Sequence, residues 1–351
     1  MRNLLKKLFF ILFISLFFIS SPQAFDTEHF FVPKIKVMDQ NMYFGADVSP
    51  LFGGDLTQIP LVIGEIIASN YPARAAAFAE IIKKSDSDVV CLQEAWIFQL
   101  APRGDLGLPD GINWDFKELL LDALGGDYKE VVTNEGLMDV NLLTLLGVRI
   151  KDQDVIIAKE HVKIGKTETL IFDHQLTLPI PDPIGPQTFF RGLSIARLKI
   201  WGRWYTVSNT HLEAFDAAVR LNQAIEVADR LDEEKQPILL FGDFNSQAGE
   251  SAYNVITDEF DDAWPPRLLG RRDPGFTYGR DNLVDDDAVF DERIDFGFVQ
   301  NDDFITLLGL TVGRREFSKT DPVPYPFPPT TLVRLWPSDH LGLFFILILP
   351  K

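Results

Sequence analysis

Eight short apolar runs recur between residues 35 and 349, and two of them, VVCL at 89–92 and LGLFFILIL at 341–349, contain no charged or hydrogen-bonding side chain. A strand that is apolar on both faces must be covered on both sides, which excludes a lone sheet with one wet face. The other runs, IKVMDQNM, DVIIAKE, LSIARLKI, WYTVSNTHL, PILLFGDF and RIDFGFV, are rich in β-branched or aromatic residues and are bounded by Gly, Pro, Asp or Asn. In KIWGRWYTV, Gly202-Arg203 stands between two such runs and predicts a tight hairpin, so at least part of the sheet is antiparallel. Helical patterning is sparser. Pro72 to Lys84 is dense in strong helix formers, and Phe215 to Glu234 sets Ala218, Leu221, Ile225 and Ala228 along one stripe, as an amphipathic helix lying on a sheet would. Two sheets packed face to face with helices outside meet these demands together, an α+β arrangement.

The chain's 351 residues are 46% apolar and include 29 Phe, ample for a packed core. No internal repeat or break in composition calls for a second unit, so a single domain over 25–351 is expected. Residues 1–24 read differently. Arg2, Lys6 and Lys7 precede the apolar run LFFILFISLFFIS, and small residues follow up to Ala24, the three-part layout of a secretory signal peptide. That run is short for a spanning helix, although an uncleaved N-terminal anchor is the alternative. A secreted or periplasmic location is the expectation. The terminal LGLFFILIL is about half the length of a spanning helix and reads as a strand.

Removing the leader's three basic residues takes the formal charge from −18 to −21. So acidic a chain repels polyphosphate unless metal ions or a local basic groove intervene, which disfavours a nuclease without excluding one. Cys91 is the sole cysteine, so no internal disulfide forms, and within VVCL it reads as a buried, inert thiol. The Pro-rich stretches LPIPDPIGPQ and TDPVPYPFPP read as rigid surface loops of the kind that shape access to a site. DNLVDDDAVFDE lacks the Gly and the spacing of a calcium hand and reads as a solvated turn.

Chemistry is carried by polar residues at the ends of the apolar runs. Glu94 closes VVCLQE, where a carboxylate suits a hard divalent cation, though the motif taken alone reads better as a strand-terminal surface charge. Asn41 has the same two readings, metal helper or turn former. In GDFN, extended geometry would point Asp243 and Asn245 to one face, one to accept a proton or orient water and one to donate to a phosphate oxygen. Alternation in YTVSNTHL places Tyr205, Val207, Asn209 and His211 on one side. Asp295 in ERIDFGFV and the pair Asp339-His340 in SDH add a carboxylate able to fix an imidazole's tautomer and raise its basicity.

These motifs, in this order, resemble those of the endonuclease/exonuclease/phosphatase superfamily over about Ile35 to Pro350. Its members are metal-dependent phosphohydrolases and include DNase I-like nucleases, secreted neutral sphingomyelinases and inositol-polyphosphate 5-phosphatases. The resemblance implies a four-layer α/β/β/α sandwich of two mixed sheets with the site in a cleft at one end. It further implies Mg2+, or another divalent cation, bound by Glu94 with Asn41, and His340 held by Asp295 to activate the attacking water. Asp243 and Asn245 would orient that water or the phosphoryl oxygens, His211 would contact the phosphate, and Asp339 would complete the metal or hydrogen-bond shell. Whether His340 or Asp243 is the base stays open. Arg191, in FFRGL, is a candidate to neutralise a phosphate oxygen or a plain surface arginine.

The THL motif at His211 is similar to the sphingomyelinase and DNase I branches, and no WCDR-type motif of the 5-phosphatases surrounds Arg293. Acidity and the leader favour a sphingomyelinase-like lipid phosphodiesterase over a secreted nuclease. A phosphomonoesterase, or a catalytically silent binding protein on the same scaffold, are the further alternatives. The expected partner is a phosphodiester, either a phospholipid at a membrane surface or a nucleic acid, and no protein partner can be inferred. Trp96, Phe98, Tyr325 and Phe327 are candidates to meet a membrane, with ordinary packing as the alternative.

Overall fold

All eight runs become strands, and they fall into two six-stranded sheets. The computed structural model describes residues 33–348 except 53–54, 105–106, 109, 183, 266–272, 301–303 and 316–317. The expected leader, residues 1–24, lies outside the described residues.

In chain order the strands of the two sheets are β1 (Lys34–Asn41), β2 (Val89–Gln93), β3 (Tyr128–Asn134), β4 (Asp154–Lys159), β5 (Lys163–Ile171), β6 (Gly192–Ile200), β7 (Arg203–His211), β8 (Ile238–Asp243), β9 (Asp261–Asp262), β10 (Asp295–Gln300), β11 (Ile305–Val312) and β12 (Gly342–Ile348). The first sheet runs β11-β12-β1-β2-β4-β3 and the second β9-β10-β8-β7-β6-β5. Each is antiparallel except for one central parallel pair, β1 with β2 and β7 with β8. Five helices flank them: α1 (Ile59–Ser69), α2 (Tyr71–Ser85), α3 (Phe116–Leu124), α4 (Ala217–Asp232) and α5 (Ser251–Glu259).

The apolar clusters define the layers. Val37, Val89, Cys91 and Ile156 on one sheet meet Val207, Leu239, Phe241 and Val299 on the other, which is the interior of the sandwich. One residue along, the opposite faces turn outward, as a period of two demands. Met38, Val90 and Leu92 pack on Phe78, Ile82, Phe116 and Leu120 of α2 and α3. Leu240, Phe296 and Phe298 pack on Ala224, Val227 and Ile256 of α4 and α5. The result is the α/β/β/α sandwich, with VVCL covered on both faces and Cys91 buried between the sheets.

Local chemistry sets the boundaries. Asn70, in the left-handed region, caps α2 by accepting from the Ala73 amide, and Pro72 takes the first turn, where no amide is needed. Asp216 caps α4 through the amides of Ala218 and Val219. The hairpin joining β6 to β7 sits one residue earlier than the sequence suggests. Ile200 pairs with Arg203, so the turn is Trp201-Gly202, whose φ of 50° and 84° are the positive pair that a two-residue turn with matching twist needs.

A smaller four-stranded sheet, in the order Ile112–Asp115, Ile97–Leu100, Val148–Lys151, Asp139–Leu142, was not anticipated from the sequence. It buries Trp96 and Phe98 in the cluster under α1 and α2, so neither is the membrane-facing residue considered above. TDPVPYPFPP stays out of both large sheets, and only Val323–Tyr325 pairs, with Thr331–Val333. No helix among the described residues is long and apolar enough to cross a membrane.

Candidate active site

Topology gathers the polar tips. β1 with β2, and β7 with β8, end at the same edge of the sandwich because each pair is parallel, whereas β10 and β12 begin there because they run antiparallel to their neighbours. Glu94, His211, Asp243, Asn245, Asp339 and His340 therefore line one cavity, with Asn41 buried behind Glu94 and Asp243 and Asp295 directly behind His340. Backbone strain concentrates here. Among the described residues, six that are not glycine have positive φ. Two of them, Asn70 and Asp86, cap helices and one, Trp201, makes the hairpin turn, which leaves Tyr43 at 63°, Glu94 at 57° and Asn245 at 48°, all on the cavity wall.

One amide joins the first two carboxylates. The Asn41 Nδ2 donates to Glu94 Oε1 at 2.9 Å and to Asp243 Oδ2 at 3.0 Å, while its Oδ1 accepts from the Tyr43 amide. The amide of Phe44 and the indole of Trp96 hold Glu94 Oε2. Asp243 is buried, and burial, with the charge of Asp295 adding, pushes its carboxyl up to about 7. Burial likewise pushes Asp339 up to about 6. Several acids crowded out of water with so little positive charge between them are what a hard dication would neutralise, so the donor set fits one. Ligand atoms of Asp243, Asp295 and His340 also lie within 4.8 Å of one another. His340 and Asp295, however, are already bonded to each other, while Glu94 and Asp243 flank the Asn41 amide nitrogen.

The two histidines are set differently. His340 Nδ1 lies 2.9 Å from Asp295 Oδ2, and its Nε2 faces Asp243 Oδ2 at 3.9 Å. Burial opposes its charged form, but the carboxylates of Asp295 and Asp339 outweigh it and hold the imidazole well above its ordinary value. His211 Nδ1 instead lies 2.8 Å from Arg191 Nη1. A guanidinium cannot accept, so Nδ1 carries the lone pair and Nε2 the proton, aimed at Asp243 Oδ2 3.6 Å away. Burial first, then the Arg191 charge, keep His211 neutral.

Asn245 reaches the cavity by a route other than strand alternation. β8 ends at Asp243, the chain turns through the left-handed Asn245, and the Asn245 backbone N–H donates to Asp243 Oδ1 while Nδ2 donates to Leu212 O. Arg191 is not a surface arginine. It is buried, and besides His211 it meets Asp152 Oδ2 at 3.3 Å.

Several residues at the site carried no sequence signal. Asp152 precedes the run DVIIAKE and looks like a loop acid; burial pushes it up to about 7, with Arg191 opposing. Arg74 hides among helix formers in α2 yet is fully buried, its guanidinium donating to the carbonyls of Met42, Tyr43 and Pro337 and so tying the segments after β1 and before His340 together. Asp39, two residues before Asn41 on the same inward face, is bonded by Gln93, which also bonds Asn209, a polar seam between the sheets beneath the site. Ser338 Oγ donates to Asn41 O and accepts from the His340 amide.

Comparison with known proteins fits this arrangement. No curated protein is a detectable sequence relative of the chain. Among solved structures, an endonuclease/exonuclease/phosphatase family protein from Bacteroides thetaiotaomicron superposes with a TM-score of 0.57 at 17% identity, over 92% of this chain and 100% of that one. A mannosyl-6-phosphatase from Bacteroides thetaiotaomicron gives 0.56 at 17% identity, over 90% and 99%. TDP2 of D. rerio, complexed with single-strand DNA product, gives 0.53 at 16% identity, over 90% and 98%. At such identities the likeness is one of fold. Residues 41–340, from the first polar tip to the last, match the family model described as Endonuclease/Exonuclease/phosphatase family, and the chain belongs to that family.

Proposed function

We propose that the chain is an exported, divalent-metal-dependent phosphodiesterase that hydrolyses its substrate by attack of water, with a sphingomyelinase-like lipid diester favoured. The carrying observation is the meeting, at one cavity, of the Asn41-bridged carboxylates Glu94 and Asp243 with the His340–Asp295 pair. Glu94, with Asn41 and Asp339, is the ligand set for Mg2+ or a related dication, which when bound supplies Lewis-acid polarisation of a phosphoryl oxygen. His340, oriented through Nδ1 by Asp295, takes the proton of the attacking water at Nε2 from its neutral form. His211 donates its Nε2 proton to a phosphoryl oxygen, a role its Arg191 partner fixes, and Arg191 adds positive charge behind it. Asp243, held by the Asn41 amide and the Asn245 backbone, orients the water.

Charge favours lipid over nucleic acid. Two arginines and no lysine line the cavity, against seven acidic residues, a poor cradle for a polyanion whose affinity comes from Lys and Arg on phosphates. A DNase I-like secreted nuclease is the second reading, suggested by the fold shared with a DNA-bound neighbour. The purified mature protein, assayed with bis(p-nitrophenyl) phosphate, sphingomyelin, a lysophospholipid and plasmid DNA, is expected to hydrolyse the diesters with Mg2+ and to stop in EDTA. Undiminished turnover in EDTA, or undiminished rates from both Glu94→Gln and His340→Ala, would defeat the proposal. Plasmid cleaved faster than either lipid would hand it to the nuclease reading. Export is tested by the N-terminal sequence of the protein outside the cytoplasm, expected to begin near Phe25.

A further inference from the structure

We infer that the cavity beside the catalytic cluster takes one hydrocarbon chain of the scissile ester, so that the protein acts on an amphiphile and reads the length of its chain. The head of this ligand rests on the phosphoester reading above, and its body rests on the cavity itself. The space amounts to about 750 Å³. At about 30 Å³ for each water-sized group it accommodates on the order of 25 heavy atoms, more than a phosphate and a small head require.

One wing of the cavity is built from aliphatic side chains on regular elements. Ile59, Ile63 and Ile66 share a face of α1, at intervals of four and three residues, and line the space. Opposite-strand partners Val140 with Ile150 and Leu142 with Val148 form one face of the small sheet and line it too. Ile59, Ile63, Val140, Leu142 and Ile150 are only half-buried. Aliphatic groups arranged in register around unfilled space forgo the contacts a packed core would give them, and methylene groups of a ligand would restore those contacts. A sugar, a nucleotide base edge or water would find almost no hydrogen-bond partner on this wing.

The mouth has matching character. Phe190 and Phe215 line the cavity and are also exposed to solvent, and Leu143 and Leu145 lie exposed on the short helix that joins the two cavity-lining strands. A polar catalytic end continuous with an apolar wing and an apolar rim is the shape of a site for a phosphoester whose chain is drawn out of a lipid aggregate.

The test is calorimetric titration of the full mature chain with n-alkyl phosphonates, kept below their micelle thresholds, in saturating Mg2+. Affinity is expected to rise roughly fourfold for each added methylene and to level off once the wing is filled. Val140→Trp on the small sheet and Ile63→Trp on α1, both lining the cavity and checked for folding by their thermal midpoints, are expected to bring the plateau to shorter chains. Affinity independent of chain length would overturn the inference, as would a plateau that neither folded variant moves. Failure of the wild type to hydrolyse any diester would instead defeat the function proposed above, since the chain-length series reads binding alone.

Discussion

His211 and His340 are both buried imidazoles whose Nε2 atoms face the same Asp243 oxygen, at 3.6 and 3.9 Å, yet their partners assign them opposite tasks. A cation behind His211 makes it a neutral donor, whereas an anion behind His340 makes it basic. Replacing Asp295 by Asn leaves the shape but removes the charge, and an amide nitrogen facing Nδ1 would select the tautomer with no lone pair at Nε2. A fall in kcat on the order of 10⁴-fold is expected, the scale on which such a change acts in a histidine–carboxylate pair. A rate within tenfold of wild type at an unchanged fold would remove His340 as the base. Arg74 makes a separate prediction. Arg74→Met leaves three inward carbonyls without a donor, so urea unfolding should show a loss of about 3 kcal/mol, and a loss below about 1 kcal/mol would mean that the carbonyls find other partners. The sequence made the tips legible because each stands at one end of an apolar run. It could not reveal Arg74, Asp39 or Asp152, since a buried polar residue in a helix, strand or loop looks the same in sequence as an exposed one until its partners from distant segments are known.

At the scale of elements, strands with one clear periodicity were readable and strands without it were not. β7 and β8 alternate or are wholly apolar, and both appear where expected. β5, KIGKTETLI, lies at the edge of its sheet with most of its side chains exposed, so nothing in its composition marks it as a strand. The same holds for Asp139–Leu142 at the edge of the small sheet, where half the residues face solvent. That edge is held by a paired contact, Arg149 Nε to Asp139 Oδ1 at 2.9 Å and Nη2 to Oδ2 at 2.6 Å. The Arg149 bond holds the Asp139 carboxyl below its ordinary value. A lowered folded value stabilises the fold above the unfolded pKa and loses that effect as pH falls through the folded one. The pair is partly solvated, so Asp139→Asn should cost no more than about 1 kcal/mol near neutral pH. The difference from wild type should shrink in urea titrations at about pH 3, below the unfolded value of about 3.9, and vanish only below the lowered folded value. An equal deficit at both pH values would show that shape, and not charge, holds this edge of the cavity wall.

For the molecule as a whole, the sandwich spends stability on its site. Burial raises Asp243 to about 7 and Asp339 to about 6, and it raises Asp39, Asp152 and Asp154 in the same direction. Each of these acids binds its proton more tightly in the folded chain than in the unfolded one, where the value is about 3.9. The sign is therefore opposite to that of the Asp139 pair: in chelator, stability should fall as pH rises from about 4 to about 7, because the native state must give up protons it holds well. A dication favours the ionised forms and offsets their repulsion. Added Mg2+ should then raise stability, by about 2.7 kcal/mol at a hundredfold excess over its dissociation constant, and by more at about pH 8 than at about pH 5, where protons compete. Glu94→Gln should remove most of that gain. Urea midpoints for both proteins, in EDTA and in Mg2+ at the two pH values, measure all of this at once. A wild-type protein equally stable in EDTA at both values would show that the converging acids impose no cost on the fold. A Mg2+ gain that Glu94→Gln leaves intact would place the ion elsewhere, and the argument from crowded carboxylates to a metal-dependent hydrolase would lose its physical basis.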